Sequence, residues 1–289
     1  MARWGLLLGL GCLVLLTCGQ RRDSHFNWGL YHFDQGRFQD AAREFALAVK
    51  GNERTAEALF NQGLSLQRMG HHREALTLYQ TCLDRFGPAA HPYINMAQAH
   101  AAMGDHDQAH AHFQMAMEAA PVNHEPYVAY AFYLLAQNSA DSDEKAWRIA
   151  EKAVEVGDLS SVAHYFRGRA AHRIGEHGLA QEAFRRAIAL DGTNGPALGA
   201  LGSYHLERKE YREAAHLLTR ATVHEPRNPQ YFLWLGMALR HLGQYQQALE
   251  ALWQSESVDP SLPGLAEELD AVLKAMVNPG EGGEQVRIP

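Results

Sequence analysis

Small and hydrophobic residues recur along most of the chain at 34-residue intervals, with one longer interval in the middle. The first set of small residues is Gly29, Gly63, Ala97, Ala131, Gly168, Gly202 and Gly236. A second set follows after 12 residues, or 15 in the fourth unit: Ala41, Ala75, Ala109, Ala146, Ala180, Ala214 and Ala248. Apolar residues around both sets recur at three- and four-residue spacing, as on one face of a helix. Each unit therefore predicts two helices that cross closely.

A short break separates the two predicted helices of each unit. It carries a glycine in most units, namely Gly36, Gly70, Gly104, Gly175 and Gly243, and Lys209 in the sixth. Glycine at such a place ends a helix readily, because it adopts the left-handed backbone conformation at little cost. The three extra residues of the fourth unit fall within the polar stretch 138–144, which predicts a longer turn there.

A helical hairpin repeated every 34 residues with these small positions resembles the tetratricopeptide repeat. The resemblance covers about seven units, over residues 23–262. It implies an all-α fold in which the hairpins stack into a right-handed superhelical solenoid.

After the last unit, one more helix is predicted over residues 263–276, beginning at Pro263. Its apolar face is Leu265, Leu269, Val272, Leu273 and Met276, and Glu268 lies among the charged residues elsewhere on the helix. We expect this helix to cap the final hairpin. Residues 277–289 contain Gly, Glu and Pro without periodicity and predict a flexible tail.

The amino terminus has the form of a secretory signal. Arg3 precedes an apolar run that ends at Leu16, and polar residues follow. We predict a signal peptide over residues 1–17, a linker over 18–22 and an exported mature protein. An uncleaved amino-terminal anchor is the alternative.

The end of the apolar run, Leu15-Leu16-Thr17-Cys18, resembles the lipobox of bacterial lipoproteins, although Thr17 departs from the usual Gly, Ala or Ser. The resemblance implies that Cys18 becomes the lipidated first residue. Gly19 after it implies sorting to the outer membrane, facing the periplasm. A signal peptidase cut nearby, or a cysteine there by chance, would leave the protein without the lipid.

Composition fits a folded repeat protein. The chain has 289 residues, of which 46% are hydrophobic and 20% charged, and a formal net charge of −7. The acidic balance argues against general nucleic-acid binding. The recurring catalytic motifs that we sought are absent, apart from a Ser-x-x-Lys spacing at Ser142 and Lys145 without companion motifs. We expect neither enzymatic activity nor a cofactor.

The 17 histidines raise the question of a metal site. The densest group is His100, His106, His110 and His112. However, His106 occupies a place that Phe38 and Tyr211 take in other units, so packing explains it better than a metal does. We predict no metal site. Exposed histidines titrate near ~6.5, so acidification would alter the surface charge.

The repeat resemblance implies that function lies in a concave groove lined by first-helix side chains. The predicted partner-binding residues are Phe26, Leu30, Phe60, Leu64, Ile94, Gln98, Val128, Phe132, Tyr165, Arg169, Arg173, Leu233, Met237 and Arg240. The first four units would offer an apolar floor, and the later ones a mixed, locally basic surface. Some of the apolar residues would instead pack against the neighbouring hairpin. The expected occupant is a helix or an extended peptide.

An export signal, a lipid and a repeat array together resemble the type IV pilus biogenesis and stability lipoproteins of the pilotin class. That resemblance implies a scaffold that helps a secretin assemble in the outer membrane. Two other hypotheses stay open: a periplasmic adaptor that recruits cell-wall or proteolytic enzymes, and a eukaryotic lumenal adaptor. The partner's identity and the oligomeric state are open as well.

Overall fold

The computed structural model describes residues 24–277, and this part of the chain is helical without strands. Its helices are α1 (His25–Asp34), α2 (Phe38–Lys50), α3 (Thr55–Arg68), α4 (His72–Phe86), α5 (Ala90–Ala102), α6 (His106–Ala119), α7 (His124–Ala136), α8 (Ala140–Val156), α9 (Ser161–Arg173), α10 (His177–Leu190), α11 (Gly195–Glu207), α12 (Tyr211–His224), α13 (Pro229–His241), α14 (Tyr245–Val258) and α15 (Leu265–Val277). The predicted all-α class is confirmed.

The helices belong to two compact units. The first unit comprises the described residues up to 88 together with 95–109, and the second comprises 89–94 and the residues from 110 onward. In the first unit the core gathers around Phe26 and Phe45. In the second it gathers around Phe184 and Tyr204, and around Leu218 and Leu252.

Successive helices pack as hairpins, and the small residues mark where they cross. In the first unit α1 packs on α2 and α3 on α4, and in the second α7 packs on α8, α9 on α10, α11 on α12 and α13 on α14. A methyl group added at Gly63 would lie 2.7 Å from the ring of Tyr79, and one at Gly168 would lie 2.6 Å from that of Phe184. These glycines therefore let an aromatic ring of the second helix press against the backbone of the first.

Three-residue turns join the two helices of each hairpin. Gly175 has φ +84° in its turn, and Lys209 adopts φ +61° at the same place in the sixth unit. The backbone geometry thus stays constant when glycine is replaced. A residue with a β-carbon bears a steric cost in this conformation.

The fourth unit differs from the expectation of a longer turn. Its turn has the same three residues as the others, and the extra residues extend α8, which at 17 residues is longer than any other helix described. Ser139 caps this helix by accepting a hydrogen bond from the backbone N–H of Ser142 at 3.2 Å. The Ser142 hydroxyl in turn accepts a hydrogen bond from the backbone N–H of Ser139 at 3.2 Å. This capping box begins the helix early and draws the polar stretch into it.

The capping helix also departs from its predicted form. It begins at Leu265, because Gly264 before it has a left-handed φ of +84°. Leu265 and Val272 are buried, but Leu273 and Met276 are about half exposed. Glu268, expected on the wet side, is buried instead, and the guanidinium of Arg240 pairs with it.

Across residues 24–277, every helix is too short or too polar to span a bilayer. Cys18, the predicted signal peptide and linker, and the predicted tail beyond Val277 lie outside the described residues. The export and lipidation hypotheses therefore remain predictions from the sequence.

Candidate functional site

An open cavity of about 410 Å³ lies between the first helices of three successive hairpins in the second unit. We call it the aromatic-arginine pocket. Its lining comes from α9, α10, α11 and α13: Tyr165, Arg169, His172, Arg173, Phe184, Pro196, Ala200, Ser203, Tyr204, Tyr231 and Trp234. The pocket therefore combines a largely aromatic wall with basic side chains.

Side-chain caps fix the starts of the three helices that line the pocket. Ser160 accepts from the backbone N–H of Ala163 at 3.2 Å, and Asn194 accepts from that of Ala197 at 2.9 Å. Asn228 does the same for α13, which then begins with Pro229. The side-chain amide of Asn194 also donates to the hydroxyl of Ser161 at 2.7 Å, so the start of α11 is tied to that of α9. These bonds set where each helix enters the pocket wall.

Gly199 brings α13 close enough to α11 to form one wall. A methyl group at this position would lie 2.3 Å from the ring of Tyr231. The ring of Tyr231 is in turn 6.0 Å from that of Trp234, centroid to centroid. Because glycine leaves room for the phenol ring, Tyr231 and Trp234 line the pocket together.

Two phenols of the pocket, those of Tyr165 and Tyr231, have a raised pKa and stay protonated at neutral pH. Burial raises the pKa of Tyr165, although a nearby charge and a hydrogen bond from Arg169 lower it in part. Burial likewise raises the pKa of Tyr231, and the negative charge of Glu225 adds to the effect. A neutral phenol can donate a hydrogen bond as well as accept one.

Arg169 supplies the positive charge of the pocket. Its guanidinium carbon lies 5.8 Å from the ring centroid of Tyr165 and 5.7 Å from that of Phe166. Both rings therefore stabilise the cation through cation–π interactions. Within residues 24–277 it forms no ion pair. By contrast, Arg173 donates two hydrogen bonds to Asp143, at 3.0 and 2.9 Å, so its charge is largely balanced.

Glu225 lies outside the lining, and its negative charge raises the pKa of both phenols. The lining itself contains Arg169, Arg173 and His172 but no carboxylate. Since Arg173 is paired with Asp143, the positive charge of Arg169 is the one available to pair with a ligand.

The predicted groove residues divide into several groups in the structure. Tyr165, Arg169 and Arg173 meet in the pocket. Phe26, Ile94 and Leu233 are each only 4% exposed and belong to the core instead of a binding surface. For Phe26 the reason is its edge-on contact with Phe45, with ring centroids 5.7 Å apart. The residues that stay partly exposed are Leu30, Phe60, Leu64, Gln98, Val128, Phe132 and Met237.

Arg240 was predicted to face the groove, but it is engaged with the capping helix. Its Nε donates to Glu268 at 2.5 Å, and both side chains are largely buried. A partner would have to break this pair to use the charge.

Sequence reasoning missed Tyr204, Tyr231 and Trp234. The predicted lining begins three residues before the small residue at which the two helices of a hairpin cross. In α9 this residue is Tyr165, three places before Gly168, and it lines the pocket. In α11 and α13 the pocket is lined two residues before the equivalent glycine, by Ala200 and Trp234. The signal that could have found the site is the cluster of Tyr231, Phe232 and Trp234 in α13, together with the small Gly199 in α11.

Other candidate chemistry has a structural role or finds no support. Ser142 serves in the capping box, and the Lys145 ammonium pairs with Asp141 at 2.7 Å, which accounts for the Ser-x-x-Lys spacing. Three potential metal ligands of the His, Cys, Asp or Glu type do not come together anywhere in residues 24–277. Among the packing histidines, His164 is buried with its Nε2 bonded to the backbone carbonyl of Asp158 at 2.8 Å.

Several solved structures share the fold. PilF of Pseudomonas aeruginosa has a TM-score of 0.63 at 15% identity, over 78% of this chain and 99% of its own. PilW, a type IV pilus biogenesis factor, has 0.59 at 18%, over 75% and 98%. The Cut9 and Hcn1 assembly of the APC/C has 0.66 at 15%, over 85% of this chain. The chain spans about half, 48%, of that last match. No match was found among curated proteins.

Family models identify the repeat directly. One tetratricopeptide repeat model matches residues 26–66, 60–124 and 200–255, which together exceed half of the chain. A second model of the same repeat matches residues 162–194, where α9 and α10 form a hairpin. The repeat is a scaffold that binds proteins and peptides. This chain therefore belongs to the tetratricopeptide repeat family.

Proposed function

We propose that the aromatic-arginine pocket binds a segment of a partner protein that carries a carboxylate beside an apolar side chain. The observation that carries the proposal is Arg169, a cation without an ion-pair partner in the described chain, held above aromatic rings in an open cavity. A carboxylate would complete its charge. The rings of Tyr231 and Trp234 would cover the apolar neighbour.

The energetics favour a segment of this kind. A hydrogen bond to a charged group contributes about 1.5–3 kcal/mol, enough to discriminate a carboxylate from an amide roughly tenfold or more. Aromatic side chains supply most of the contact area in many recognition sites, and Tyr and Arg are frequent among the residues that dominate binding. Such a pocket suits a helix or extended peptide laid across α9, α11 and α13.

Photo-crosslinking in native cells tests this site. A photoreactive phenylalanine analogue at Ser203, which lines the pocket, should crosslink a partner. The same analogue at Glu182, exposed on α10 outside the pocket, serves as the control. Adding Arg169→Gln should reduce the yield at position 203. Equal yields at both positions, or a yield unaffected by Arg169→Gln, would contradict the proposal.

We further propose that the protein is exported and tethered by a lipid on Cys18 to the outer membrane, facing the periplasm. The support is the apolar run after Arg3 and the sequence Leu15-Leu16-Thr17-Cys18. A mass spectrum of the mature amino terminus, compared with a Cys18→Ala variant, decides the matter. An acylated Cys18 supports it, and an unmodified cut or an intact Met1 contradicts it.

As the working role, we propose an assembly factor for an envelope complex such as a type IV pilus secretin. The support is the combination of the Cys18 sequence with a fold similar to those of PilF and PilW. Deleting the gene in a piliated host should reduce secretin multimers and piliation, and restoring the chain should recover both. Unchanged multimers would remove this role while leaving peptide binding in place.

An adaptor that recruits cell-wall or proteolytic enzymes in the periplasm is the second candidate. The repeat scaffold suits it equally well. Peptidoglycan hydrolases or proteases crosslinked through position 203 would favour this adaptor over the secretin factor. A lumenal partner in a eukaryotic cell would instead favour the third hypothesis.

A further inference from the structure

In the part of the chain that the structure describes, the repeats begin with α1, which carries an exposed aromatic pair. On α1, Trp28 is 45% and Tyr31 50% exposed, and their rings meet edge to face at 5.6 Å. The ring of His32 lies 6.0 Å from that of Trp28, and the guanidinium of Arg37 lies 5.4 Å from the centroid of Tyr31. Two amphipathic rings and a cation therefore share one surface, which we call the α1 aromatic face.

This face is unusual among the repeats. The residue two places after the crossing glycine is Tyr31 in the first unit, and it is buried in later units, where it is Ser65, Ala170, Tyr204 and Ala238. The residue one place before that small residue is Trp28 here. In later units Met96, Tyr130, Leu201 and Leu235 are buried at this place, and Gln62 and Arg167 are partly exposed. Terminal repeats usually carry a polar outer face, since no further hairpin covers them. Large aromatic residues at both places indicate that something other than water covers α1.

We propose that the α1 aromatic face lies on the surface of the phospholipid membrane to which Cys18 is tethered. This inference rests on the lipid anchor of the proposed function. Six peptide links separate Cys18 from Ser24, so the start of α1 lies within about 22 Å of the lipidated residue, and Tyr31 lies about 10 Å farther along the helix. Trp and Tyr are enriched at membrane interfaces, where the ring is apolar and its edge is wet.

The charges around the face fit phospholipid headgroups. Arg37 belongs to the face, and Arg21 and Arg22 lie between the tether and α1. Against them, Asp23 lies on the same link, Asp34 is exposed at the end of α1, and Asp40 forms an ion pair with Arg43 at 3.6 Å. The basic side chains thus outnumber the acidic ones that are free to repel anionic lipid. With the lipid holding the chain at the bilayer, the face would add apolar and basic contacts at the headgroup level.

Brominated phospholipids report contact with a tryptophan by quenching its fluorescence. We would attach the mature chain, beginning at Cys18, to vesicles of phosphatidylcholine and phosphatidylglycerol through a maleimide lipid. Cys82→Ala prevents labelling of the buried thiol at a position where other units carry alanine. Lipid bromine should quench the protein, and Trp28→Phe should abolish most of that quenching. Trp253→Phe, which removes a tryptophan of 53% exposure on α14, should retain it.

Two further variants separate this contact from loss of folding and from self-association. Tyr31→Ser, at a half-exposed position, should weaken the quenching of Trp28 without lowering the melting temperature. Quenching that is absent, or unchanged by Trp28→Phe, would overturn the proposal. So would a dimer of the untethered Cys18→Ser chain that dissociates on Trp28→Phe, because a second copy would then cover the face. Since the tether is installed chemically, none of these outcomes depends on lipidation in the cell, which the mass spectrum tests.

Discussion

At the scale of single residues, the pocket depends on the missing side chain of Gly199. The ring of Tyr231 occupies the space where a β-carbon would stand, at 2.3 Å. Close packing inside proteins leaves little room to absorb such a clash. The position of Tyr231, and with it one pocket wall, is therefore set by a glycine on the neighbouring helix.

We expect Gly199→Ala to destabilise the protein by about 1–3 kcal/mol, since the added methyl must push Tyr231 away. Gly178→Ala is the matched control, because Gly178 also lies in a helix but has nothing within 4 Å of the added carbon. It should stabilise by about 0.5 kcal/mol through helix propensity. Denaturant unfolding followed by circular dichroism measures both. Equal stability of the two variants would show that Tyr231 has more freedom than the structure indicates.

Lys209, with φ +61°, stands where most other turns carry glycine and the fourth carries Asn138. Since this conformation costs an L-residue with a side chain about 1–2 kcal/mol, Lys209→Gly should stabilise the protein by about 1 kcal/mol. The reverse change, Gly175→Ala at φ +84°, should destabilise by a similar amount. Thermal unfolding of both variants checks the pair. A shift of the same sign in both would refute the turn argument.

His241 gives a prediction about pH. Burial first, and the charge of Arg240 second, lower the pKa of this imidazole below its usual value. The folded state thus disfavours the charged form of the imidazole. Its contribution to stability is complete above the unfolded pKa of about 6.5, and it is lost as pH falls toward the lower folded value.

An NMR titration should therefore place the pKa of His241 below about 6.5. His241→Phe keeps a ring stacked on Tyr211, where the centroids are 4.3 Å apart, and should remove this part of the pH dependence of unfolding. An unshifted titration, or an unchanged pH dependence in the variant, would count against the assignment.

At the scale of elements, α15 is joined to the last hairpin through a buried charge pair. Arg240 on α13 pairs with Glu268 on α15, and both side chains are at least three-quarters buried. Removing the cation would leave a carboxylate without its partner in a low-dielectric setting. The pair therefore links the capping helix to α13.

Arg240→Ala should destabilise the protein by about 3 kcal/mol and expose the amides of α15 to hydrogen exchange. Arg208→Ala is the control, since Arg208 pairs with Glu210 at 3.1 Å on the open surface, and it should have no measurable effect. Hydrogen exchange measured by mass spectrometry locates the change. Protection of α15 that survives Arg240→Ala would show that the pair does not hold the helix.

The elements themselves were largely predictable, because each repeat shows the same periodicity and the same small positions. The greater length of α8 was not predictable, because polar residues in 138–144 indicated a turn. The hydrogen bond from the backbone N–H of Ser142 to the Ser139 hydroxyl instead starts a helix there. Burial of Glu268 escaped prediction because its partner, Arg240, lies 28 residues earlier in the chain. In the pocket, Tyr165 and Arg169 followed from periodicity. Trp234 did not, because the lining in α13 shifts by one residue. Tyr231 did not, because its place depends on Gly199 of the neighbouring helix.

At the scale of the whole molecule, the two units carry separate proposed tasks. The first carries the α1 aromatic face, near the proposed lipid on Cys18. The second carries the aromatic-arginine pocket. The two assignments can be tested separately, because the residues concerned belong to different compact units.

The central claim is that Arg169 recognises a carboxylate in the pocket. The direct measurement is calorimetric binding of short synthetic peptides in which one Glu beside a Phe or Leu is exchanged for Gln. We expect the wild-type protein to prefer the Glu peptide about tenfold, Arg169→Gln to lose that preference, and Arg185→Gln, on the exposed side of α10, to keep it. Equal affinity of the wild-type protein for both peptides, or a preference that survives Arg169→Gln, would contradict the account.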